Sequence, residues 1–391
     1  MTVSMATAEQ ALKVVYLELL QNQLNVETSP MYNKIKTSTR DITGKEVKKA
    51  ATYGVNGGYG AGSETGALPA AAGNSYIQLT SSTKNLYGTI EITDKSILAS
   101  QNNVGAFVDL LTSEMEGLTK AAKWNFSRQL VQNGEGKLAA VTAYTSGASC
   151  VVDSVKYLME GQVVDIWDTS GSAYLFNAAT VKRIIAINRA TRTVTFDGTP
   201  TGLQVGDIVY VQNSKNLELT GVAEIFNTNG TSLYGLTRAN YPWLNPYIAG
   251  SAGALADTKI QAVIDYLEEV MGSKINFLWC SSGVKRAYQA YMEATKRSVN
   301  TLELKGGFTA LSYNGVPLVS DKFHEAQKMH FFDTDKFTFH QLCDWRWMDE
   351  DGKVLKQVPG YPVWRAHLVK YAELICDHPG GQGQLPGITE A

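Results

Sequence analysis

Cysteine is scarce and scattered in this sequence. The four, Cys150, Cys280, Cys343 and Cys376, stand 130, 63 and 33 residues apart, so no C-x-x-C pair is available for zinc or redox work. They read as isolated buried thiols in a protein made in a reducing cytoplasm, where structural disulfides are uncommon. Charge is thin as well. The 35 basic and 37 acidic residues make 18% of 391, against about 25% in an average soluble protein. A net charge of −2 excludes the marked basic excess of a dedicated nucleic-acid binder. No uninterrupted apolar run reaches the ~18 residues of a membrane span. The N-terminal stretch Met1 to Leu24 lacks a basic n-region and is broken by Lys13 and Glu18, so it does not read as a secretory signal. No internal repeat is visible.

What is present is 44% apolar residues, enough for a sizeable core and roughly two to three domains. Low charge on such a chain implies that part of its surface meets protein instead of water. Residues 8–24 space Leu12, Val15, Leu19 and Leu20 along one helical face, a short amphipathic helix in need of a partner. Residues 31–52 and 76–93 read as long extended segments. Between them Tyr53 to Ser75 holds seven glycines in 23 residues, a flexible tip for a projecting hairpin arm. The first arm strand is basic, with Lys34, Lys36, Arg40, Lys45, Lys48 and Lys49 against Asp41 and Glu46. A lone arm of this kind cannot bury both faces at home and exposes pairable edges, so it calls for a neighbour.

The strongest helical pattern runs from Val104 to Gln132, about 43 Å at 1.5 Å per residue. Its apolar series is Val104, Phe107, Val108, Leu111, Met115, Leu118, Ala122, Phe126 and Leu130. Asn102 or Asn103 suits its start and Asn133-Gly134 its stop. From about Cys150 to Asn213 short β runs follow at 8–12-residue spacing, including AYLFN at 173–177, which predicts a small inserted barrel or sandwich. Residues 216–248 are mixed, with a rigid aromatic loop at Tyr241-Pro-Trp-Leu-Asn-Pro246. The remainder reads as α/β. Asp257 is expected to cap a helix ended by Gly272, strand 275–280 and a helix from Ser282 to about Arg297 follow, and Asn314-Gly315 marks a hairpin. Two strands are expected around Asp333–Lys336, then an apolar strand within 364–378 and a loose tail, PGGQGQLPGITEA.

Candidate chemistry is weak. All five histidines, His324, His330, His340, His367 and His378, fall in the last 68 residues, but His324 and His330 are six apart, not the four of a zincin helix. A turn at 333–336 would bring His330 near His340, a pair without a third ligand, so no metal site is assigned. The run Gly57-Gly58-Tyr59-Gly60-Ala61-Gly62 lacks the Gly-Lys-Ser/Thr ending of a P-loop and reads as a loop tip. Asp349-Glu350-Asp351-Gly352 lacks the alternation of a calcium loop. Ser281-Ser282 is not G-x-S-x-G and is explained by a serine N-cap. Trp345, Trp347 and Trp364 suit a sugar or base site, or a core and subunit contact, and contact is the favoured reading. No catalytic, cofactor-binding or metal-binding residue is assigned. The one enzymatic alternative, a hydrolase or carbohydrate-active α+β enzyme, would draw on His330, His340 and Asp344.

The order of these elements resembles the major capsid proteins of tailed bacteriophages, the Hong Kong 97-type α+β fold. The arm Asn33 to Asp94 corresponds to the family's extended loop, Val104 to Gln132 to its spine helix, and the block from Asp257 onward to its axial domain. The run Val363 to Cys376 looks like the returning strand of its peripheral domain. The resemblance implies an N-terminal arm at 1–32, the extended β-hairpin loop at 33–95, and spine helix with the first part of the peripheral domain at 96–149. It further implies an inserted small β-barrel-like domain at 150–214, the second peripheral part at 215–254, the axial domain at 255–357, and the returning strand with the C-terminal tail at 358–391. Residues 1–32 are fewer than the scaffolding segment of some members, so a separate scaffolding protein is expected. The implied function is a structural, non-enzymatic subunit, assembled in the bacterial host cytoplasm into a virion. Its copies would form pentamers and hexamers of an icosahedral head, by head-to-tail contacts that close into rings. A portal, a decoration protein and non-specifically packaged double-stranded DNA are the implied partners, with no cofactor and no membrane. A cellular nanocompartment shell on the same fold and a phage tail or tube subunit are the neighbouring alternatives.

Overall fold

The structure is a computed structural model that describes residues 29–40, 42–95, 104–170, 182–295, 301–304, 308–349 and 352–391. The amphipathic stretch 8–24, the AYLFN run and Glu350-Asp351 lie outside them. The chain divides into two compact units, Asn125–Ala223 and the residues on either side of that span.

In the flanking unit, apolar runs bounded by turn residues build a seven-stranded sheet. Its strands are β14 (Tyr247–Ile248), β15 (Phe277–Cys280), β16 (Thr301–Leu304), β17 (Phe308–Tyr313), β18 (Val316–Ser320), β19 (Met329–Phe332) and β23 (Gly383–Leu385), in the order β14-β23-β19-β15-β18-β17-β16. One face packs on α3 (Asp257–Met271) and α4 (Ser282–Ala294) through Ile260, Val263, Leu267, Val284, Leu278, Leu318 and Phe331. The alternation of a strand then sends Trp279, His330 and Phe332 to the other face. Gly272 ends α3 with φ 63°, and Asn314-Gly315 turns β17 into β18 with φ 46° and 81°, the left-handed pair of a type I′ turn. Asp257 is the first helical residue and Ala256 occupies the cap position. Its carboxylate therefore serves the positive helix end from inside the first turn. The expected cap at Ser281 is present: its Oγ accepts from the Val284 N–H at 3.3 Å and donates to Glu390. Ser281→Ala removes both contacts and is expected to lower stability by about 1 kcal/mol, read as a small drop in thermal midpoint.

Three expectations change here. The C-terminal tail is not loose. Its strand β23 lies between β14 and β19, and residues 379–385 are buried. Its glycines mark close approach: a Cβ on Gly383 would sit 2.6 Å from Leu267 Cδ1, and one on Gly380 2.6 Å from the Trp243 carbonyl oxygen. Glycine enrichment looks like a flexible linker in sequence and is a packing requirement in the fold. The tail thus belongs with the sheet assigned to 255–357. Second, the strands around Asp333–Lys336 are not a hairpin. A short 3-10 turn, Thr334–Lys336, carries the chain from β19 into β20 (Phe337–Trp347) of a different sheet, so His330 and His340 are not cross-strand neighbours.

That second sheet joins β1 (Lys36–Ser38), β5 (Lys84–Thr93), β20, β21 (Lys356–Gln357) and β22 (Val363–Cys376). Here lies the third change: the second arm segment is two strands. β4 (Ser75–Ser82) pairs with β3 (Glu46–Gly54), which also holds β2 (Ile42–Thr43), whereas β5 leaves the arm and runs antiparallel to β22 from Lys84↔Ala372 to Thr93↔Val363. Leu86, Ile90 and Ile92 are buried in that position, and Gly88 leaves room for Leu118, whose Cδ1 would be 3.0 Å from a Cβ there. Trp345 and Trp347, read as contact residues, are 7% and 4% exposed within the single chain. Trp345 helps enclose Lys370, whose ammonium donates to Gln341 Oε1 at 2.9 Å and Asp344 Oδ1 at 2.6 Å. Trp364 Nε1 donates to Asp94 Oδ1 at 3.3 Å.

The long helix forms as expected, α1 at Val104–Val131. Beyond Trp124 its last turns belong to the second unit, where residues 126–131 are buried all round. This unit is a closed barrel of β6 (Lys137–Ala143), β7 (Ser149–Val152), β8 (Val163–Trp167), β9 (Lys182–Asn188), β10 (Thr193–Phe196) and β11 (Ile208–Val211), ordered β10-β7-β6-β11-β8-β9. Its core gathers Leu138, Val152, Val164, Ile166, Ile184, Val194, Phe196 and Val209. The barrel begins before Cys150, where the sequence reading started it. β6 has a mixed pattern, KLAAVTA, whose alanines carry no strand signal, and closure against β11 decides it. Closure leaves no sheet edge open to pair with another chain.

Candidate functional site

The candidate site is the arm and its root. Between Tyr53 and Tyr76 the only charged residue is Glu64. Residues 55–74 are all exposed, with Tyr59 at 78% and Leu68 at 90%. Large apolar groups held in water without a charged fringe form a surface suited to protein contact. The Gly57–Gly62 run lies in this tip and has no following helix, so it offers no phosphate cradle.

The root is held from three directions. Lys49 Nζ meets Asp377 Oδ2 at 2.6 Å, with both side chains about two-thirds buried. The Thr80 N–H donates to the Tyr234 carbonyl at 3.0 Å. Tyr234 sits in the tight hairpin of β12 (Ser232–Leu233) and β13 (Leu236–Thr237), and its hydroxyl donates to the Leu374 carbonyl at 3.3 Å while accepting from the Cys376 N–H at 3.0 Å. Burial pushes that phenol well above its ordinary pKa, so it remains a neutral donor. Finally Tyr53 stacks on Trp243 with centroids 6.5 Å apart and meets Tyr241 edge-on at 6.0 Å. The aromatic loop noticed in the sequence is thus the rest on which the arm leaves the body. Lys36 pairs with Asp335 at 2.8 Å and Lys48 with Glu46 at 3.3 Å, so half of the basic run is engaged within the chain. Nothing in the local sequence marked Tyr234 or Asp377, because both act through partners more than a hundred residues away.

The residues weighed for chemistry disperse. His330 lies on the seven-stranded sheet with its Nδ1 2.6 Å from His324 Nε2, whereas His340 lies on β20 in register with Glu373 and Asp344 holds Lys370. His367 Nδ1 is 2.9 Å from Thr89 Oγ1. Among the described residues no three His, Cys, Asp or Glu side chains are grouped to hold a metal ion, and no helix is long and apolar enough to cross a membrane. All four cysteines are unpaired. Burial raises the Cys150 thiol to about 11 and the Cys280 thiol to about 12, which makes both poor nucleophiles.

No family model and no curated protein sequence matches the chain. Solved structures do. The capsid asymmetric unit of cyanophage A-1(L) aligns over 93% of this chain and 93% of that one, with a TM-score of 0.58 and 12% identity. The capsid of a native GTA particle covers 93% and 94% at TM-score 0.48 and 11% identity. An encapsulin complex from Synechococcus elongatus covers 93% and 89% at 0.45 and 8%. The chain therefore has the fold of a phage capsid protein, on the strength of the cyanophage likeness.

Proposed function

We propose that this chain is the major capsid subunit of a tailed phage, many copies of which self-assemble as pentamers and hexamers into an icosahedral head around double-stranded DNA. The observation that carries the reading is the arm: a projection built on the β3–β4 pair, rooted at three points, that ends in twenty exposed and nearly uncharged residues. A capsid-type fold makes a second copy of the same chain the natural surface for it. In this reading residues 33–95 contain the extended loop, α1 is the spine helix of a Hong Kong 97-type subunit, the seven-stranded sheet with β23 is its axial domain, and the barrel is an insertion. Rings closed by head-to-tail contacts sum many weak interfaces. Contact with DNA is sequence-independent and modest, because a net charge of −2 releases few counterions.

The test is assembly. The expressed chain, alone or with a scaffolding partner, is expected to give closed shells in electron micrographs, and replacing residues 56–74 by a short turn is expected to abolish them while leaving a folded chain by circular dichroism. A wild-type chain that stays a compact monomer under every assembly condition sinks the proposal, as does an arm-shortened chain that still closes shells.

A further inference from the structure

Two histidines meet inside the chain where nothing in the proposed assembly uses them. His324 lies on the turn after β18 and His330 on β19, and they are 0% and 5% exposed. His324 Nδ1 is 2.8 Å from the Glu325 carbonyl oxygen. A carbonyl only accepts, so this nitrogen carries the ring proton of neutral His324 and Nε2 is left as an acceptor. The Nδ1–H of His330 then donates to it across 2.6 Å. One arrangement of tautomers satisfies both contacts.

The surroundings are aromatic. Trp279 of β15 meets His324 edge-on at 4.7 Å, Phe226 after α2 (Val222–Ile225) meets His330 edge-on at 4.7 Å, and Phe332 stacks on His330 at 5.6 Å. Trp124 of α1 packs on Phe323 beside the turn. The titratable groups acting on His330 are His324 and Lys328, and both oppose a positive charge on its ring. Of the nearby carboxylates, Glu325 pairs with Lys328, Asp321 accepts from Ser29, and Glu224 of α2 accepts from Asn227 at 3.2 Å.

We infer that the His324–His330 pair is an acid-sensitive lock on the second face of the seven-stranded sheet. A proton on His324 Nε2 would set two N–H groups face to face and break the hydrogen bond. A proton on His330 Nε2 would place a cation among Phe226, Phe332 and Trp279 next to Lys328. Either event opens the packing between β19 and the turn. Burial, with His324 and Lys328 disfavouring a positive charge beside them, holds the His330 pKa well below 6.5. For a base lowered in the folded state, stability is complete above the unfolded value of about 6.5 and is lost as pH falls below it. The loss is about tenfold in the folding equilibrium per pH unit for one proton. This inference concerns a single chain, so its failure would leave the assembly test untouched.

The test follows the five histidines of the intact chain by NMR of 13Cε1-labelled imidazoles, with His330 assigned from the signal lost in His330→Asn. The His330 signal is expected not to move between pH 7.5 and 5.5. Urea unfolding constants of the wild type are expected to rise about tenfold more than those of His330→Asn for each pH unit below about 6. An ordinary His330 titration near pH 6.5 overturns the inference, as do parallel pH slopes for wild type and variant. Where His330→Asn does not fold, His324→Gln supplies the comparison; where neither folds, a wild-type spectrum in which all five rings titrate between about pH 6 and 7 overturns it.

Discussion

Replacing Arg128 with methionine is expected to destabilise the barrel unit by about 3–5 kcal/mol, the cost of leaving a buried charge without its partner. Arg128 is 0% exposed. Its guanidinium pairs with Glu218, whose side chain is 2% exposed, reaches Gln132, and donates to Asn125 Oδ1 at 2.7 and 3.0 Å. Glu218 joins the last turns of α1 to the segment leaving the barrel. Burial already holds its carboxyl above the ordinary range with the guanidinium opposing that shift, and without Arg128 it rises further. An acid raised in the folded state costs stability as pH climbs above its unfolded value of about 4.3, so the deficit of the variant should be largest near pH 7 and shrink toward pH 5. The double variant Arg128→Met/Glu218→Leu should recover most of the loss, since a well-packed apolar pair often replaces a buried ion pair without penalty. Urea unfolding at the two pH values decides it. A single variant within about 1 kcal/mol of wild type at pH 7, or a double variant weaker than the single, contradicts the account.

Deleting Gly383–Ala391 is expected to have a still larger effect: no soluble, folded chain. The deletion removes β23 from between β14 and β19, together with the Glu390 contacts to Ser281 and to the Gln327 N–H at 2.8 Å. It would uncover Leu267 and Phe331, both 0% exposed, and strip hydrogen bonds from two strands. Gly383→Val is the milder probe. Leu267 Cδ1, Val263 Cγ1 and Phe331 Cβ stand 2.6, 3.1 and 3.4 Å from the position of the new Cβ, all within a filled core. Overpacking of this kind costs about 1–3 kcal/mol, and a thermal midpoint within error of wild type would show that the core can yield. A truncated chain with the native circular dichroism spectrum would show that the tail is dispensable after all.

Much of the fold was legible locally. The helix from Val104 to Val131, the Gly272 stop, the Asn314-Gly315 turn and the Ser281 cap rest on interactions within a few residues, which periodicity and turn chemistry report directly. The arm was legible as glycine-rich and extended. Its root was not, because Lys49 finds Asp377 and Thr80 finds Tyr234 across distances no local pattern encodes. The extended run 76–93 gave no hint that it changes sheets near Thr83.

By itself the amino-acid sequence determined the kinds of element in their order and the nearly uncharged, glycine-rich character of the arm tip, for these depend on composition and near-neighbour spacing. The tertiary structure alone decided which strands share a sheet. It sent β19 and β20 to different sheets, took alanine-rich β6 into the barrel, and made a glycine-rich tail the inner strand of a seven-stranded sheet. Pairing partners, like the meeting of His324 with His330, are chosen by the burial of whole faces and by the room left beside a glycine, and both exist only once distant segments pack.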